Sequence, residues 1–263
     1  MNRIDLTFQT LRDKKKKAFL AFITAGDPSL KATEELVLAF ERSGVDIVEL
    51  GVPFSDPLAD GPTIQASSQR ALNNKVSLEK IIRTVENIRK RSNIPIVLMT
   101  YYNPVFSLGE ERFVRQAKQA GVDGVIIPDL PPEEAAQLIR VAKKADFRTI
   151  FFISPTTTSQ RMKTIVKAST GFIYYVSLTG VTGSRSKLPS DIVHQIKKAK
   201  RLTKQPICIG FGISNPTQVK ELSRISDGVI VGSAIVKAIV KNQGKANLVR
   251  NVESFVRSLT AQR

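Results

Sequence analysis

The sequence has little of the chemistry on which several protein classes depend. Among its 263 residues it has one cysteine, Cys208, and one histidine, His194. A single cysteine excludes an intramolecular disulfide and a metal site with several cysteines, and a single histidine excludes a metal site with several histidines. The carboxylates show no spacing typical of a Mg²⁺ site. We therefore predict no metal site, with an all-oxygen Mg²⁺ site as the alternative. We interpret Cys208 as a small core residue rather than a nucleophile, and His194 as a surface or boundary residue.

Targeting and membrane-spanning patterns are also missing. The segment MNRIDLTFQTLRDKKKKAF has no apolar core followed by a cleavage site. No run reaches the roughly 20 apolar residues that a membrane helix needs. We expect a cytoplasmic protein without a membrane partner.

Positive charge, in contrast, is abundant. The chain has 40 basic and 23 acidic residues, a net charge of +17. The basic clusters RDKKKK, IRKR and KKAKR lie on predicted helix flanks or loops, and no aromatic residues alternate with them to stack on bases. We interpret them as solvated surfaces and expect no nucleic-acid partner.

Short apolar runs alternate with amphipathic stretches along the whole chain. The runs are rich in Ile, Val and Phe, as strands buried on both faces of a parallel sheet are; they cover residues 18–25, 45–52, 94–101, 124–128, 149–154, 172–177, 206–210 and 228–231. Residues 2–15 and 246–262 also have helical patterns. Eight such units in about 250 residues predict a single (β/α)8 TIM barrel with an additional N-terminal helix, as one domain over residues 1–263.

An open doubly wound sheet is the alternative architecture. Such a fold typically has a glycine-rich phosphate-binding turn after its first strand. The sequence ITAGDPS has only one glycine at this place. The barrel is therefore preferred. A weak internal repeat, GVDIVEL, GVDGVII and SDGVIVG, supports the repeated strand–helix unit. Its glycines Gly44 and Gly121 fit the left-handed position that closes a helix. We assign structural roles at the strand starts to Asp46, Asp123 and Asp227.

One carboxylate lies inside a predicted strand. The period of two places Ile47 and Glu49 on one face of the second strand and Val48 on the other. A carboxylate that faces hydrocarbon must be paired, hydrogen-bonded or protonated. Glu49 is therefore either the partner of a buried polar group or an acid–base catalyst whose pKa burial raises. No lysine lies in or just after the strands, which argues against a Schiff-base mechanism.

Two more acids follow in the loop after this strand. Asp60 precedes a predicted helix that starts at Gly61 and Pro62. It fits either a helix N-cap or a fixed anion over the barrel mouth, which would accept an N–H from a substrate and balance developing positive charge. We expect Asp56 to shape the loop or to meet a partner.

Glycines follow the last two predicted strands, in GFGIS and VGSAIV. Barrels often bind a phosphate in these loops, through backbone N–H groups and a helix N-terminus. Gly212 and Gly232 let an anion approach the backbone, and Ser233 can cap the following helix and donate its hydroxyl. Plain tight turns are the other interpretation. The glycine-rich segment 178–190 could close over the mouth.

Several of these motifs occur together in one family. FITAGDPS, VELGVPFSDPLADGPTIQ, MTYYNP, GVDGVIIPDLP, GVTG, GFGIS and VGSAIV follow one another at matching spacing over nearly the whole chain. The sequence thereby resembles the tryptophan synthase alpha subunit family, and residues 48–65 carry the most specific part of the match. The resemblance implies a carbon–carbon lyase of tryptophan biosynthesis, which cleaves indole-3-glycerol phosphate to indole and glyceraldehyde 3-phosphate.

The resemblance also implies roles for individual residues. Glu49 would be the acid–base carboxylate, and Asp60 would hold the indole N–H. Further substrate contacts would come from Phe22, Tyr101 and Tyr174 at the indole, from Gly183, Gly212, Gly232 and Ser233 at the phosphate, and from Thr182, which would meet Asp60 when its loop closes. No cofactor is implied in this subunit. The implied partner is a beta subunit with pyridoxal phosphate, in an alpha2beta2 heterotetramer. The 53–60 loop would face this beta subunit.

Two other functions stay open on the residues alone. A barrel of the same kind supports many reactions, for example isomerisation of a phosphorylated sugar or an aminated ribulose. The chain could also lack activity and serve as a regulatory subunit or an RNA binder drawn by the charge.

Overall fold

The computed structural model describes residues 1–176, 190–210 and 212–263, and in it parallel strands alternate with helices. The strands are β1 (Ala18–Thr24), β2 (Ile47–Gly51), β3 (Ile96–Met99), β4 (Gly124–Ile126), β5 (Arg148–Ile150), β6 (Phe152–Ile153), β7 (Ile173–Val176), β8 (Ile207–Gly210) and β9 (Gly228–Val231). The helices are α1 (Arg3–Asp13), α2 (Leu30–Arg42), α3 (Pro62–Asn73), α4 (Leu78–Arg89), α5 (Tyr102–Leu108), α6 (Glu110–Gln119), α7 (Ala136–Lys144), α8 (Ser159–Ala168), α9 (Ser190–Leu202), α10 (Pro216–Ser223), α11 (Ser233–Asn242) and α12 (Leu248–Thr260).

The strands form one parallel sheet that curls almost into a closed barrel. Its order is β5-β4-β3-β2-β1-β9-β8-β7-β6. The two ends of this order, β5 and β6, are separated along the chain by Phe151 alone, and the Phe151 carbonyl accepts a hydrogen bond from the Tyr174 amide at 3.1 Å. The predicted barrel is therefore confirmed. That residues 1–263 form one domain stays a prediction.

The predicted fifth strand is the main departure from the expected elements. Its first part, β5, pairs with β4, whereas its second part, β6, pairs with β7. The chain must therefore change neighbours within this stretch, which interrupts it at Phe151. The other predicted runs are confirmed as strands, and several are shorter at their ends than expected.

Alternation along the strands separates the inside of the barrel from its outer layer. Ile47 of β2 packs in the inner cluster with Leu20 and Val97, whereas Val48 and Leu50 pack in the outer layer against the helices. The register is consistent with this, because Leu20 of β1 lies beside Ile47, and Glu49 lies between Phe22 and Val97. Glu49 therefore faces the barrel interior, on the side that the strand period predicts.

The aspartates at the strand starts hold neighbouring strands together. Asp46 accepts a hydrogen bond from the Phe19 amide at 2.7 Å, Asp123 from the Ile96 amide at 2.9 Å, and Asp227 from the Ile207 amide at 3.0 Å. Each carboxylate also pairs with one or more basic side chains. Their predicted structural roles are confirmed.

Helix α1 covers the end of the barrel at which the strands begin. Ile4, Phe8 and Leu11 belong to the inner cluster, and Phe8 packs on Phe172 with ring centroids 5.9 Å apart. Asn2 caps the helix by accepting from the Ile4 amide, and its side-chain amide donates to the Asp123 carbonyl at 2.9 Å. Because this end is closed, the barrel is accessible from the carboxyl ends of the strands.

The helices differ from the sequence pattern in two places. The short helix α5 begins soon after β3 ends, within the motif MTYYNP, and the sequence pattern did not predict it. Helix α7 begins at Ala136, later than the pattern PPEEAAQLIRVAKKA suggests, because the two prolines are followed by a turn in which the Glu134 amide donates to the Pro131 carbonyl. Gly44 and Gly121 have φ of 82° and 94°, as expected for glycines that close helices. Among the described residues, no helix is long and apolar enough to span a bilayer.

Candidate active site

The carboxyl group of Glu49 lies inside the barrel and has no hydrogen-bonding partner in the part of the chain that the structure describes. Its residue is 0% exposed, and neither carboxylate oxygen has a partner among the described residues. Burial raises the pKa of Glu49 from its ordinary 4.5 to about 8. The structural alternative, in which Glu49 satisfies a buried polar group, thus finds no partner in the described part of the chain. At neutral pH this carboxyl group is mostly protonated and can both give and accept a proton.

Asp60 lies at the mouth of the barrel, in the loop after β2. Burial raises the pKa of Asp60 to about 6, and a hydrogen bond from the Tyr101 hydroxyl acts in the opposite direction. The Tyr101 oxygen also accepts a hydrogen bond from the Ala59 amide at 2.9 Å. The N-cap of α3 is Gly61, with no side-chain hydrogen bond, so the N-cap interpretation of Asp60 is wrong. Its carboxylate is held by Tyr101 instead and stays mostly ionised at neutral pH.

Two aromatic rings line the barrel mouth, and glycines make room for them. A Cβ on Gly51 would lie 2.6 Å from the ring of Phe22, and a Cβ on Gly210 would lie 2.3 Å from the hydroxyl of Tyr174. Burial raises the pKa of Tyr174, and the negative charges of Glu49 and Asp60 raise it further, because both groups lie near it at this end of the barrel. Phe22, Glu49, Asp60, Tyr101 and Tyr174 are thus brought together at one end.

A small cavity of about 10 Å³ opens at this end of the barrel, beside Asp60. Phe22, Asp60 and Tyr101 line it, together with Ile64 and Ser68 of α3. A volume of this size holds about one water molecule. A larger ligand at the barrel mouth therefore requires some of these side chains to shift when it binds.

The predicted phosphate loops follow β8 and β9. Gly212 has a φ of 58°, in the left-handed region that favours glycine. Gly232 is the N-cap of α11 and lies against the ring of Phe22, to which an added Cβ would approach within 3.3 Å. Ser233 is the first residue of α11 rather than its cap, so the expectation that Ser233 caps the helix is wrong. Its exposed hydroxyl nevertheless stands beside the free N–H groups of a helix N-terminus. Thr182 and Gly183 lie outside the described residues.

Several other expectations concern residues away from this mouth. Cys208 is buried in the inner cluster and His194 is exposed, as predicted. Asp56 is exposed in the loop after β2. Within the described ranges, no group of three or more His, Cys, Asp or Glu side chains is arranged to hold a metal ion.

Two features of the site went beyond the sequence reasoning. The bond between Tyr101 and Asp60 joins residues 41 positions apart, and no local pattern predicts it. The close approach of Phe22 to Gly51 had a weak signal, because a glycine at the end of a buried strand often marks the close approach of another group.

Asp27, after β1, is bound by Arg70 of α3 through two hydrogen bonds of 2.9 and 2.7 Å.

A barrel of parallel strands with two carboxyl groups of raised pKa at the carboxyl ends of its strands defines a (β/α)8-barrel enzyme. The comparisons with known proteins narrow this class. Residues 8–263 match the family described as tryptophan synthase alpha chain, and the chain belongs to this family. The tryptophan synthase alpha chain of Thermoanaerobacter sp. strain X514 is 49% identical over 259 residues, which cover 98% of each chain.

Solved structures agree with this assignment. The tryptophan synthase subunit alpha of Legionella pneumophila strain Paris has a TM-score of 0.93 and 37% identity, over 100% of this chain and 98% of that one. A chain of the tryptophan synthase a2b2 complex from Pyrococcus furiosus has a TM-score of 0.87 and 38% identity, over 93% of this chain and 98% of that one.

Proposed function

We propose that this chain is the lyase subunit of a tryptophan synthase and cleaves indole-3-glycerol phosphate to indole and glyceraldehyde 3-phosphate. Family membership over residues 8–263 supports the reaction. The observation that carries the proposal is the buried carboxyl group of Glu49, which has a pKa of about 8 and no partner among residues 1–176, 190–210 and 212–263. A group of this kind is suited to a reaction in which one proton is delivered and another is removed at neutral pH.

Glu49 serves both proton transfers in this proposal. Its protonated carboxyl group donates to carbon 3 of the indole ring, which turns the ring into an indoleninium cation. The carboxylate so formed then removes the proton from the glycerol hydroxyl next to the bond to be cleaved. The carbon–carbon bond breaks as the aldehyde forms, and its electrons return to the ring. Glu49 is protonated again at the end of the cycle.

Asp60 supplies the negative charge that this cation needs. With a pKa of about 6, it is mostly ionised when Glu49 is mostly protonated. An ionised carboxylate accepts the indole N–H and stabilises the positive charge as it develops. The different surroundings of the two carboxyl groups separate their pKa values, and this separation assigns the acid to Glu49 and the anion to Asp60.

The remaining predicted residues would bind the two ends of the substrate. Phe22, Tyr101 and Tyr174 surround the space proposed for the indole ring. Gly212, Gly232 and Ser233 would bind the phosphate at the N-terminus of α11. Gly183 at the phosphate and Thr182 at Asp60 are proposed from the family resemblance alone.

The partner proposed for this chain is a tryptophan synthase beta subunit, in an alpha2beta2 heterotetramer. The Pyrococcus furiosus relative is part of such an a2b2 complex. We propose that this subunit uses no cofactor and that the partner holds pyridoxal phosphate. A cytoplasmic location and the lack of nucleic-acid and membrane partners stay predictions.

The release of indole from indole-3-glycerol phosphate, measured with and without a purified beta subunit, tests the proposal. Glu49→Gln should lower kcat by roughly a hundred- to ten-thousandfold, because it removes the proton transfers but keeps the side-chain shape. Substrate should still bind. Glu86→Gln is the matched control, since Glu86 is an exposed residue of α4. No indole release from the unmodified chain with its partner, or normal turnover in Glu49→Gln, would overturn the assignment.

A further inference from the structure

The position of Asp60 depends on helix α3, which begins two residues after it. Gly61 is the N-cap of this helix, and as a glycine it has no side chain that could cap the helix. The side-chain amide of Gln65, in the first turn of α3, donates to the Asp60 carbonyl at 2.8 Å. A rotation or shift of α3 would therefore move Asp60 with it. The contacts that fix α3 on the barrel thus also fix Asp60.

The strongest of these contacts is an ion pair between α3 and the end of β1. The Nε of Arg70 lies 2.9 Å from Oδ1 of Asp27, and its Nη2 lies 2.7 Å from Oδ2. Two parallel hydrogen bonds of this kind determine direction as well as distance. The Asp27 side chain is only 2% exposed, and that of Arg70 is 29% exposed. The pair is thus largely shielded from water, unlike an ordinary surface ion pair.

Two further contacts place the same helix face against the end of β1. The Ser67 hydroxyl donates to the Ile64 carbonyl at 2.8 Å, so the Thr24 hydroxyl, 2.6 Å away, donates to Ser67. The Asn74 side chain donates to the Pro28 carbonyl at 2.8 Å. Ser67, Arg70 and Asn74 are spaced by three and four positions, which places them on one side of the helix. Contacts over two turns prevent the helix from rotating about its axis.

The helix also forms part of the cavity wall. Ile64 and Ser68 of α3 line the cavity between Asp60 and Phe22, and so does Thr24 of β1. The cavity thus lies between the two elements that Arg70 and Asp27 join. The ion pair itself does not line this cavity, so Arg70 acts on the site through the helix rather than by contact with the reacting atoms.

We infer that Arg70 is a positioning residue, whose ion pair with Asp27 fixes helix α3 and thereby holds the Asp60 carboxylate in place for the indole N–H. The inference rests on the proposed lyase function. A purely structural ion pair would stabilise the fold without any special relation to Asp60. The two alternatives differ in whether the effect of an Arg70 substitution depends on the Asp60 carboxylate.

The test needs a variant that does not leave the Asp27 carboxylate buried without a cation, since that is strongly destabilising. Arg70→Lys keeps the charge and removes the planar pair of hydrogen bonds. Arg161→Lys is the matched control, because Arg161 forms a similar two-bond pair with Glu133 on the exposed surface. Thermal unfolding of each variant establishes that it is folded.

Indole release with the beta subunit is then measured for the unmodified chain, Arg70→Lys, Asp60→Asn and the double variant. A small misplacement of a reacting group costs up to about a hundredfold in rate, so we expect Arg70→Lys to lower kcat by roughly ten- to a hundredfold. We expect Arg161→Lys to change it less than about twofold. In the Asp60→Asn background, Arg70→Lys should have almost no further effect.

Equal losses from Arg70→Lys in both backgrounds, or unchanged turnover in the single variant, would overturn the inference. If Asp60→Asn is too slow to measure, the pH profile of Arg70→Lys decides. A displaced Asp60 changes its contact with the Tyr101 hydroxyl, so the acid limb of kcat/KM should move, and an unmoved limb contradicts the inference. No indole release by the unmodified chain would instead contradict the proposed function itself.

Discussion

Among single residues, the Glu49 carboxyl group is the feature of the site that costs the fold most. A buried polar group without a hydrogen bond destabilises the folded state, and both of its oxygens are in this position within the described part of the chain. Side chains alternate along β2, with Ile47 in the inner cluster and Val48 in the outer layer. Glu49 lies two positions after Ile47, so its side chain also points into the barrel. What the carboxyl group gains is a pKa close to neutral pH.

This cost predicts a pH-dependent stability difference between the unmodified chain and Glu49→Gln. The pKa of Glu49 is raised from 4.5 to about 8 in the folded state, so the folded chain binds more protons than the unfolded chain between these values. The free energy of unfolding of the unmodified chain therefore falls as pH rises through this window. Glu49→Gln has no group that titrates at this position. Its free energy of unfolding, relative to that of the unmodified chain, should therefore rise by a few kcal/mol between about pH 5 and about pH 8.

Urea unfolding at both pH values measures this difference. Glu86→Gln, on the exposed face of α4, corrects for the general effect of removing a carboxylate. A stability difference for Glu49→Gln that stays constant with pH would show that burial does not raise the pKa of Glu49.

The pH dependence of turnover gives a second prediction. Asp60 must be ionised and Glu49 protonated, so kcat/KM should rise with pH near about 6 and fall near about 8. The Tyr101 hydrogen bond lowers the pKa of Asp60. Tyr101→Phe should therefore move the rising limb to higher pH and leave the falling limb almost unchanged. Profiles of indole release for the two proteins check this, and an unmoved or reversed rising limb contradicts it.

The elements of the barrel depend on buried contacts at the ends where the strands begin. Asp123 accepts hydrogen bonds from the Ile96 amide, from Arg3 and from Arg89, each at 2.9 Å. Asp123→Ala would leave the guanidinium group of Arg89, whose side chain is 10% exposed, without this partner. We expect a loss of roughly 3 to 5 kcal/mol in the free energy of unfolding.

The control for this prediction is an exposed ion pair. Glu133→Ala removes the partner of Arg161, and both of these side chains are about half exposed, so its cost should stay below about 1 kcal/mol. Urea unfolding at neutral pH compares the two variants. Similar losses for both would mean that Asp123 does not hold β3, β4 and α1 together.

How far the sequence predicts these elements depends on whether their cause is local. Continuous apolar runs and the aspartate repeat are local signals, and they predicted the strands, the barrel and the inward side of Glu49. The break at Phe151 has no such signal, because it arises when β5 and β6 pair with different neighbours. The contacts of Tyr101 with Asp60 and of Arg70 with Asp27 also join distant parts of the chain, so no local pattern in the sequence predicts them.

Basic residues recur at the C-terminal ends of the helices. Of the twelve helices in the described part of the chain, all except α5 have a basic residue in their last turn. Cations there interact favourably with the helix dipole. In α4 and α6 these residues lie at the end where the strands begin, because Arg89 pairs with Asp123 and Lys118 pairs with Asp146. In α3, by contrast, Arg70 pairs with Asp27, which follows β1 at the site end of the barrel.

Exposed apolar side chains lie at the end of the barrel where the strands finish, which is also the end that holds the site. Leu58, in the loop after β2, is 93% exposed, and Phe106 of α5, after β3, is 69% exposed. Because β2 and β3 are neighbours, both side chains lie at the same end of the barrel. The ring of Phe54 stacks on Tyr101 at 5.2 Å, which joins the two segments beside the site. We expect this surface to contact the proposed beta subunit.

Leu58→Ala and Phe106→Ala should therefore each raise the Kd for a purified beta subunit by roughly tenfold, because each removes apolar surface that the partner would shield from water. Leu6→Ala is the matched control, since Leu6 is 50% exposed on α1, at the closed end of the barrel. Titration calorimetry measures the three constants. Equal Kd values for all three variants would place the partner on another surface. If Leu58→Ala weakens binding while indole release by the isolated chain stays unchanged, the loop after β2 binds the partner and positions Asp60 through separate side chains.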